Sequence, residues 1–143
     1  MQIDEMAERL RLVFRAMKRQ AVSVGGADGP THAETFVLAL LDEQGAMTPS
    51  ALSLAQNVRP QSVGQALDVM SARGWVARGP HPTDRRQILV SLTAAGRRAL
   101  AKGRRLRQAW LVRELGRLKP AERRLLSSSI TIFERLFQTE NQP

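Results

Sequence analysis

The stretch from Val58 to Gly96 constrains the fold of this chain more than any other. Its sequence is VRPQSVGQALDVMSARGWVARGPHPTDRRQILVSLTAAG. Pro60 suits the first turn of a helix, where its missing N–H would lack a partner in any case. Gly74 suits the left-handed residue that follows the end of a helix. Between them, three apolar residues recur at helical spacing and predict one buried face: Val63, Leu67 and Met70.

Two β-prone runs follow this helix and predict a hairpin. They cover residues 75–78 and 88–92, and Gly79, Pro80 and Pro82 are expected to break the chain between them. The far side of the loop carries Asp84-Arg85-Arg86. A helix followed by a hairpin with arginines at its tip is a winged helix-turn-helix, which is a DNA-reading device. The predicted fold is therefore mainly α with a small β-wing.

A shorter helix precedes the one that begins at Pro60. Thr48-Pro49 is a typical helix start, and Leu52, Ala55 and Val58 are expected to line one face. Two short helices joined so closely predict the helix-turn-helix itself, with the second helix as the recognition helix. Its opposite, polar face is predicted to meet the major groove, with an arginine at the edge: Gln61, Ser62, Gln65 and Arg59.

The charge of the chain agrees with a polyanionic partner. Its 143 residues carry a formal net charge of +9, which indicates binding to nucleic acid or to an anionic membrane surface. No run approaches the ~20 apolar residues that span a bilayer, and the first residues are acidic rather than signal-like. We therefore expect a cytoplasmic protein of one domain that does not bind membranes. The absence of cysteine excludes disulfides and thiolate metal sites.

The two ends of the chain carry amphipathic helices. Apolar residues recur every three or four positions in both: Ile3, Met6, Leu10, Val13, Phe14 and Met17 near the N-terminus, and Leu126, Ile130, Phe133 and Phe137 near the C-terminus. The first stripe could pack on the core of its own domain or pair with a second subunit, and the pattern leaves both open. Between the first two helices, Ser23 to Pro30 is expected to be a loop. Thr31 then begins a capping box in which Glu34 reaches back.

A long basic helix is expected after the wing, capped by Thr93. Six cations follow in it without an acid: Arg97, Arg98, Lys102, Arg104, Arg105 and Arg107. Their spacing distributes them around the helix. They form either a solvated surface or a source of non-specific affinity for phosphates.

Three motifs together resemble the MarR-type family, the multiple-antibiotic-resistance regulators. They are Gly74-Trp75-Val76, then Asp84-Arg85-Arg86, then Leu92-Thr93-Ala94-Ala95-Gly96. The close match covers residues 31–96, which would form the DNA-binding lobe of the single domain. The resemblance implies that residues 1–22 and 97–138 form dimerisation helices. It also implies that this homodimer regulates transcription from a pseudo-palindromic operator on double-stranded DNA, as a repressor or an activator, with a repressor as the preferred interpretation.

The resemblance also implies roles for individual residues. Arg86 would enter the minor groove, Arg85 would contact the backbone, and Asp84 would support the wing. The dimer interface would include Ile3, Met6, Leu10, Ile130, Phe133 and Phe137. A small aromatic, phenolic or anionic ligand would release the DNA.

Two departures from the family fall on the recognition helix. Arg59 stands where the family often has a serine that caps the helix, a loss of about 1 kcal/mol unless the arginine contacts DNA. Gly64 and Gln65 stand where threonine or serine and then arginine are common. The resemblance therefore carries over the mode of docking but not the operator sequence.

The sequence also bears on two other classes of function. A non-specific, nucleoid-type protein without a ligand would use the same charge. An enzyme has little support, because no H-E-x-x-H, G-x-S-x-G or P-loop pattern occurs; we expect no catalytic residue, metal or cofactor. His32 is either an exposed histidine in the first turn of a helix or part of a ligand pocket beside Phe36. His81, in the wing loop, is expected to touch solvent or phosphate.

Overall fold

The computed structural model describes residues 1–26 and 28–137. Within these ranges the chain forms six helices and one antiparallel pair of strands. In chain order they are α1 (Ile3–Ser23), α2 (His32–Gln44), α3 (Pro49–Gln56), α4 (Pro60–Ala72), β1 (Val76–Pro80), β2 (Ile88–Leu92), α5 (Ala94–Gly116) and α6 (Pro120–Phe137). The predicted fold class, mainly α with a small β-wing, is confirmed. None of the described helices is long and apolar enough to cross a membrane.

The chain divides into two compact units, residues 1–107 and 108–143. The hydrophobic core lies in the first unit, where α2, α3, α4 and the hairpin contribute most of it. Its largest fully buried side chains are Val37, Leu38, Leu52, Val63, Leu67, Met70 and Val90. Burial of each such side chain stabilises the fold by about 1.5–3 kcal/mol. The predicted face of the recognition helix is thus part of this core.

Threonine hydroxyls begin two of the core helices. Thr31 Oγ1 accepts from the N–H of Glu34, and Thr48 Oγ1 accepts from the N–H of Ala51, each at 3.2 Å. The expected return bond from the Thr31 N–H to the Glu34 carboxylate does not occur within the described residues, and Oε2 of that carboxylate is buried without a hydrogen-bond partner. The first half of the capping box suffices to begin α2.

The predicted face of α3 is only partly correct. Leu52 is fully buried, but Ala55 is exposed and Val58 remains 42% exposed. The helix ends at Gln56 and Asn57 adopts a left-handed conformation, so helical spacing no longer applies at Val58. Ser53 occupies the buried position instead, and its hydroxyl donates to the Val58 carbonyl at 2.6 Å.

The hairpin is longer than the sequence suggested. β1 pairs with β2 from Val76 opposite Leu92 to Pro80 opposite Ile88, so the expected break at Gly79 and Pro80 is wrong. Pro80 is tolerated because it ends a strand of a two-stranded sheet, where its missing N–H removes little pairing. Met47 adds an isolated bridge to Val90 and joins the sheet to the chain between α2 and α3.

The second unit contains the end of α5 and all of α6. No residue of α6 is buried, and Leu125, Leu136 and Phe137 are each at least 63% exposed. The Phe133 and Phe137 rings stack at 6.4 Å between centroids. Residue 138, the last of the predicted dimerisation segment, and Ala27 in the predicted loop lie outside the described residues.

Candidate DNA interface

The recognition helix α4 has one anchored face and one free face. Val63, Leu67 and Met70 are at most 1% exposed and fix the rotation of the helix in the core. Helical geometry then turns the predicted polar residues away from the core, and all three are exposed: Gln61, Ser62 and Gln65. Their amide and hydroxyl groups can donate to and accept from base edges.

Arg59 is the N-cap residue of α4, and its side chain makes no capping hydrogen bond. The turn before it is held by the bond from Ser53 to Val58 and by the left-handed Asn57. Arg59 is exposed, as is Gln61 two residues later, and its predicted place at the edge of the major groove stays a prediction.

The far end of α4 is tied to the hairpin and to the loop before α2. Gly74 has φ +74°, as its position at a helix end required. The guanidinium of Arg73, the C-cap residue, donates to the Asp28 carbonyl at 2.8 Å and lies 4.8 Å from the centroid of the Trp75 ring. Arg78 of β1 pairs with Asp68 of α4 at 2.6 Å. These contacts fix the wing relative to the recognition helix.

The wing tip presents both predicted arginines in a turn. Arg85 and Arg86 are exposed, and the Arg86 side chain is 91% exposed. Both lie in a turn before β2, which begins only at Ile88, so the alternation of side chains along a strand does not set their directions. Arg86 is the one that pairs with Asp84, with its Nε 3.3 Å from the carboxylate.

Asp84 organises this turn through its carboxylate. It accepts from the backbone N–H of Arg86 at 3.0 Å and from the Gln87 amide at 3.2 Å. The Arg86 backbone hydrogen bond is the main reason that the pKa of Asp84 lies below its usual value. The carboxylate is therefore charged at neutral pH and holds the turn in one shape.

His81 lies in this tip, and sequence reasoning assigned it to solvent or phosphate. Its Nδ1 instead accepts from the backbone N–H groups of Thr83 at 3.2 Å and Asp84 at 3.0 Å. The sequence carried no local signal for this role, because it depends on how the loop brings the Thr83 and Asp84 N–H groups to the ring.

The basic residues of α5 do not act as one surface. Arg97 and Arg104 both pair with Asp42 of α2, at 3.5 and 3.8 Å, and so hold α5 on the core. Lys102 and Arg107 line a cavity, whereas Arg98 and Arg105 are exposed outside its lining. The sequence suggested that the cations are distributed around the helix. In the structure some of them pair with Asp42, some line the cavity and some are exposed.

The cavity lies within the first unit and has a volume of about 600 Å³. The end of α1, the following loop, the start of α2, Trp75 and α5 form its walls. His32 lines it, but Phe36 does not and is 42% exposed. Three cations line it, Lys18, Lys102 and Arg107, together with one carboxylate residue, Asp28. Among the described residues, no group of three or more histidines and carboxylates could hold a metal ion.

Comparisons with known proteins agree with this geometry. A family model described as the MarR family matches residues 28–87. An HTH-type transcriptional regulator of Mycobacterium tuberculosis is 35% identical over 124 residues, which are 87% of each chain. The HTH-type transcriptional repressor MdtR of Bacillus subtilis is 30% identical over 87 residues, 61% of this chain and 56% of that protein.

The fold of a solved structure is also similar. The YusO protein of Bacillus subtilis superposes with a TM-score of 0.75 at 25% identity, covering 97% of this chain and 99% of that one. The observed helix-turn-helix and the wing with its two arginines indicate DNA binding, and the relatives are named transcriptional regulators. The chain belongs to the MarR family of DNA-binding transcriptional regulators.

Proposed function

We propose that this protein is a homodimeric repressor that recognises a pseudo-palindromic operator and releases it when a small anionic aromatic ligand binds. The observation that carries the proposal is the division of α4 into a buried apolar face and an exposed face of Gln61, Ser62 and Gln65. A purely non-specific binder needs cations on this surface, because phosphate contacts supply its affinity. Three neutral hydrogen-bonding side chains suit base edges instead.

The wing would supply the second set of contacts. Arg86 would insert into the minor groove, where narrow A·T-rich segments have a deeper negative potential, and Arg85 would contact the backbone. Asp84 would keep Arg86 in place between binding events. Arg59 would contact a phosphate at the edge of the major groove, which compensates for the missing helix cap.

Exposed apolar surface on the two terminal helices supports a homodimer. Ile3 is 83% exposed and Met6 53%, while Ile130 is 46% and Phe137 66% exposed. Monomeric proteins seldom expose large continuous apolar surface, since its burial against a partner is favourable. A second copy would cover the face of α1 and the face of α6. Its two-fold axis would place two recognition helices on half-sites ~10 bp apart.

Repression is the favoured direction of regulation. The relative MdtR is named a repressor. A dimer that covers two successive major grooves and the flanking minor grooves would also block the approach of another protein to the same DNA.

The cavity of the first unit would hold the ligand. Lys18, Lys102 and Arg107 line it, and none of the three forms an ion pair with another described residue. The charge favours an anion, and the Trp75 ring favours a planar apolar group. Arg73 connects this site to the recognition helix, because it ends α4 while contacting both Asp28 and Trp75 on the cavity wall.

A direct test of the ligand site uses the fluorescence of Trp75. The chain has two tryptophans, so Trp110→Phe leaves Trp75 as the only reporter. Benzoate should change its emission, the neutral benzyl alcohol should not, and Lys102→Ala should weaken the response to benzoate. Equal responses to both compounds, or none at millimolar concentrations, would contradict an anion site here.

A test of the DNA function begins with selection of bound duplexes from a random pool. The expected product is a two-fold symmetric sequence with half-site centres ~10 bp apart. A pool that remains random after repeated rounds would favour the non-specific alternative.

A further inference from the structure

The tip of the wing is built around the ring of His81. Its Nδ1 lies 3.2 Å from the Thr83 nitrogen, 3.0 Å from the Asp84 nitrogen and 3.4 Å from Thr83 Oγ1. A backbone N–H can only donate, so Nδ1 must offer its lone pair to both. The ring is therefore neutral in this arrangement, with its proton on Nε2.

The same residue closes the loop through its backbone. The His81 N–H donates to the Gln87 carbonyl at 3.4 Å, and the Gln87 N–H donates to the Asp84 carbonyl at 3.1 Å. The Asp84 carboxylate then accepts from the backbone N–H and from Nε of Arg86, at 3.0 and 3.3 Å. One connected set of hydrogen bonds thus runs from the His81 ring through Asp84 to the exposed guanidinium.

We propose that the neutral His81 ring is the positioning group of the wing, which sets the place of Arg86 at the DNA and loses that role when the ring is protonated. The inference rests on the proposed contact between Arg86 and the minor groove. Protonation turns Nδ1 from an acceptor into a donor that faces two other donors. The Asp84 N–H then loses its partner, and the turn that carries Arg86 loses its anchor.

Charged groups near the His81 ring favour or oppose its protonation. In the loop, the Asp84 carboxylate favours the protonated ring, whereas the guanidinium groups of Arg85 and Arg86 oppose it. On the neighbouring elements, Arg78 of β1 is paired with Asp68 of α4, and β2 carries no charge. Histidine is the side chain whose charge can change between pH 5 and pH 8, so binding is compared at pH 8 and pH 5.5. The pKa of Asp84 is lowered from its usual value, so this carboxylate does not titrate in that window.

The useful measurement is a preference between duplexes rather than an affinity. A protonated ring adds a positive charge, which strengthens binding to any DNA. Loss of the Arg86 geometry instead reduces the preference for A·T over G·C pairs beneath the wing. The added charge strengthens binding to both duplexes and cancels in the ratio of their affinities. A change in the position of Arg86 alters this ratio.

The state of the ring can be measured without DNA. The chain has two histidines, so His32→Gln leaves a single imidazole whose nitrogen resonances belong to His81. At pH 8, ¹⁵N NMR should show an unprotonated Nδ1 and a protonated Nε2. A protonated Nδ1 at that pH would overturn the inference.

The binding experiment compares His81→Asn, His81→Ala and Arg86→Ala in the His32→Gln background. Asparagine keeps a side-chain acceptor for the following N–H groups and cannot be protonated. For the parent, we expect the ratio of affinities for the A·T and G·C duplexes to fall by about tenfold between pH 8 and pH 5.5. This is the size of the effect of one mismatched base pair. His81→Asn should keep the preference at both pH values, and His81→Ala should lack it at both.

The variants also separate this inference from the function on which it rests. If Arg86→Ala keeps the preference of the parent, the proposed contact of the wing with the minor groove is wrong. If Arg86→Ala loses the preference but His81→Ala keeps it, the wing contacts DNA and His81 does not position it. A pH dependence that persists in His81→Asn would likewise contradict the role of the ring.

Discussion

Gly64 and Gly96 are both helical glycines, yet the structure gives them opposite surroundings. No atom lies within 4 Å of a Cβ built on Gly64, whereas one built on Gly96 would overlap the carbonyl oxygen of Trp75. Gly64→Ala should therefore raise the free energy of unfolding by about 1 kcal/mol through helix propensity. Gly96→Ala should lower it by about 1–3 kcal/mol, because α5 must move away from Trp75.

Chemical denaturation of the two variants and the parent checks this pair. Equal stabilities, or a Gly64→Ala variant less stable than the parent, would contradict it. A stabilised Gly64→Ala variant that binds DNA more weakly would further indicate that the duplex approaches the backbone closely at this position.

Gln65 has the side chain best placed to read a base. It lies one turn after Gln61 on the exposed face, and glutamine can bond an adenine edge with both of its amide atoms. Gln65→Ala should change the preference at one operator position by about 1–3 kcal/mol and leave the others unchanged. Affinities for a set of single-base operator variants measure this. Gln44→Ala, at the exposed end of α2, serves as control, and a uniform loss across all variants would count against base reading.

Single residues were predictable where local geometry alone decides their role. The left-handed Gly74, the threonine caps and the exposed polar residues of α4 follow from spacing, and the structure agrees. His81 was not predictable in the same way, because the acceptor role of its ring depends on how the whole loop folds back. The buried, unpartnered oxygen of Glu34 likewise depends on tertiary surroundings that no local pattern contains.

Among the elements, the wing carries the clearest functional division. Arg86 is paired with Asp84, whereas no ion pair of Arg85 occurs within the described part of the chain. In a salt series on one operator, Arg85→Ala should reduce the slope of log affinity against log salt by about one unit, the effect of one phosphate contact. Arg86→Ala should mainly reduce the preference for A·T pairs beneath the wing.

Arg98→Ala is the matched control for the loss of one exposed positive charge outside the wing. If both wing variants bind like the parent at every salt concentration and on both duplexes, the wing does not contact DNA.

Element boundaries show where sequence reasoning reaches its limit. The bounds of β2 and the start of α4 at Pro60 match the expectation, because β-branched residues and an N-terminal proline act locally. β1 continues through Gly79 and Pro80 because pairing with β2 outweighs their poor intrinsic tendency to form strands. The face of α3 was misassigned because the helix ends two residues before Val58.

At the scale of the whole molecule, the proposed dimer rests on the terminal helices α1 and α6, neither of which has a buried residue. A Met6→Glu variant places a charge on the exposed apolar face of α1, where the proposed dimer would bury it. Equilibrium sedimentation at micromolar concentration should show the parent as a dimer and this variant shifted towards monomer. Leu54→Glu, at an 83% exposed position of α3, should remain a dimer. A monomeric parent would refute the proposed assembly.

The proposed regulator binds one DNA sequence specifically, whereas the alternative binds duplexes of any sequence. The most direct measurement titrates a fluorescent duplex of the selected sequence with the protein, in the presence of increasing random-sequence competitor at fixed, near-physiological salt. We expect the selected duplex to bind at least 10³-fold more tightly than the competitor. A ratio near one would contradict it, and would instead favour a non-specific nucleic-acid-binding protein that uses the same net charge.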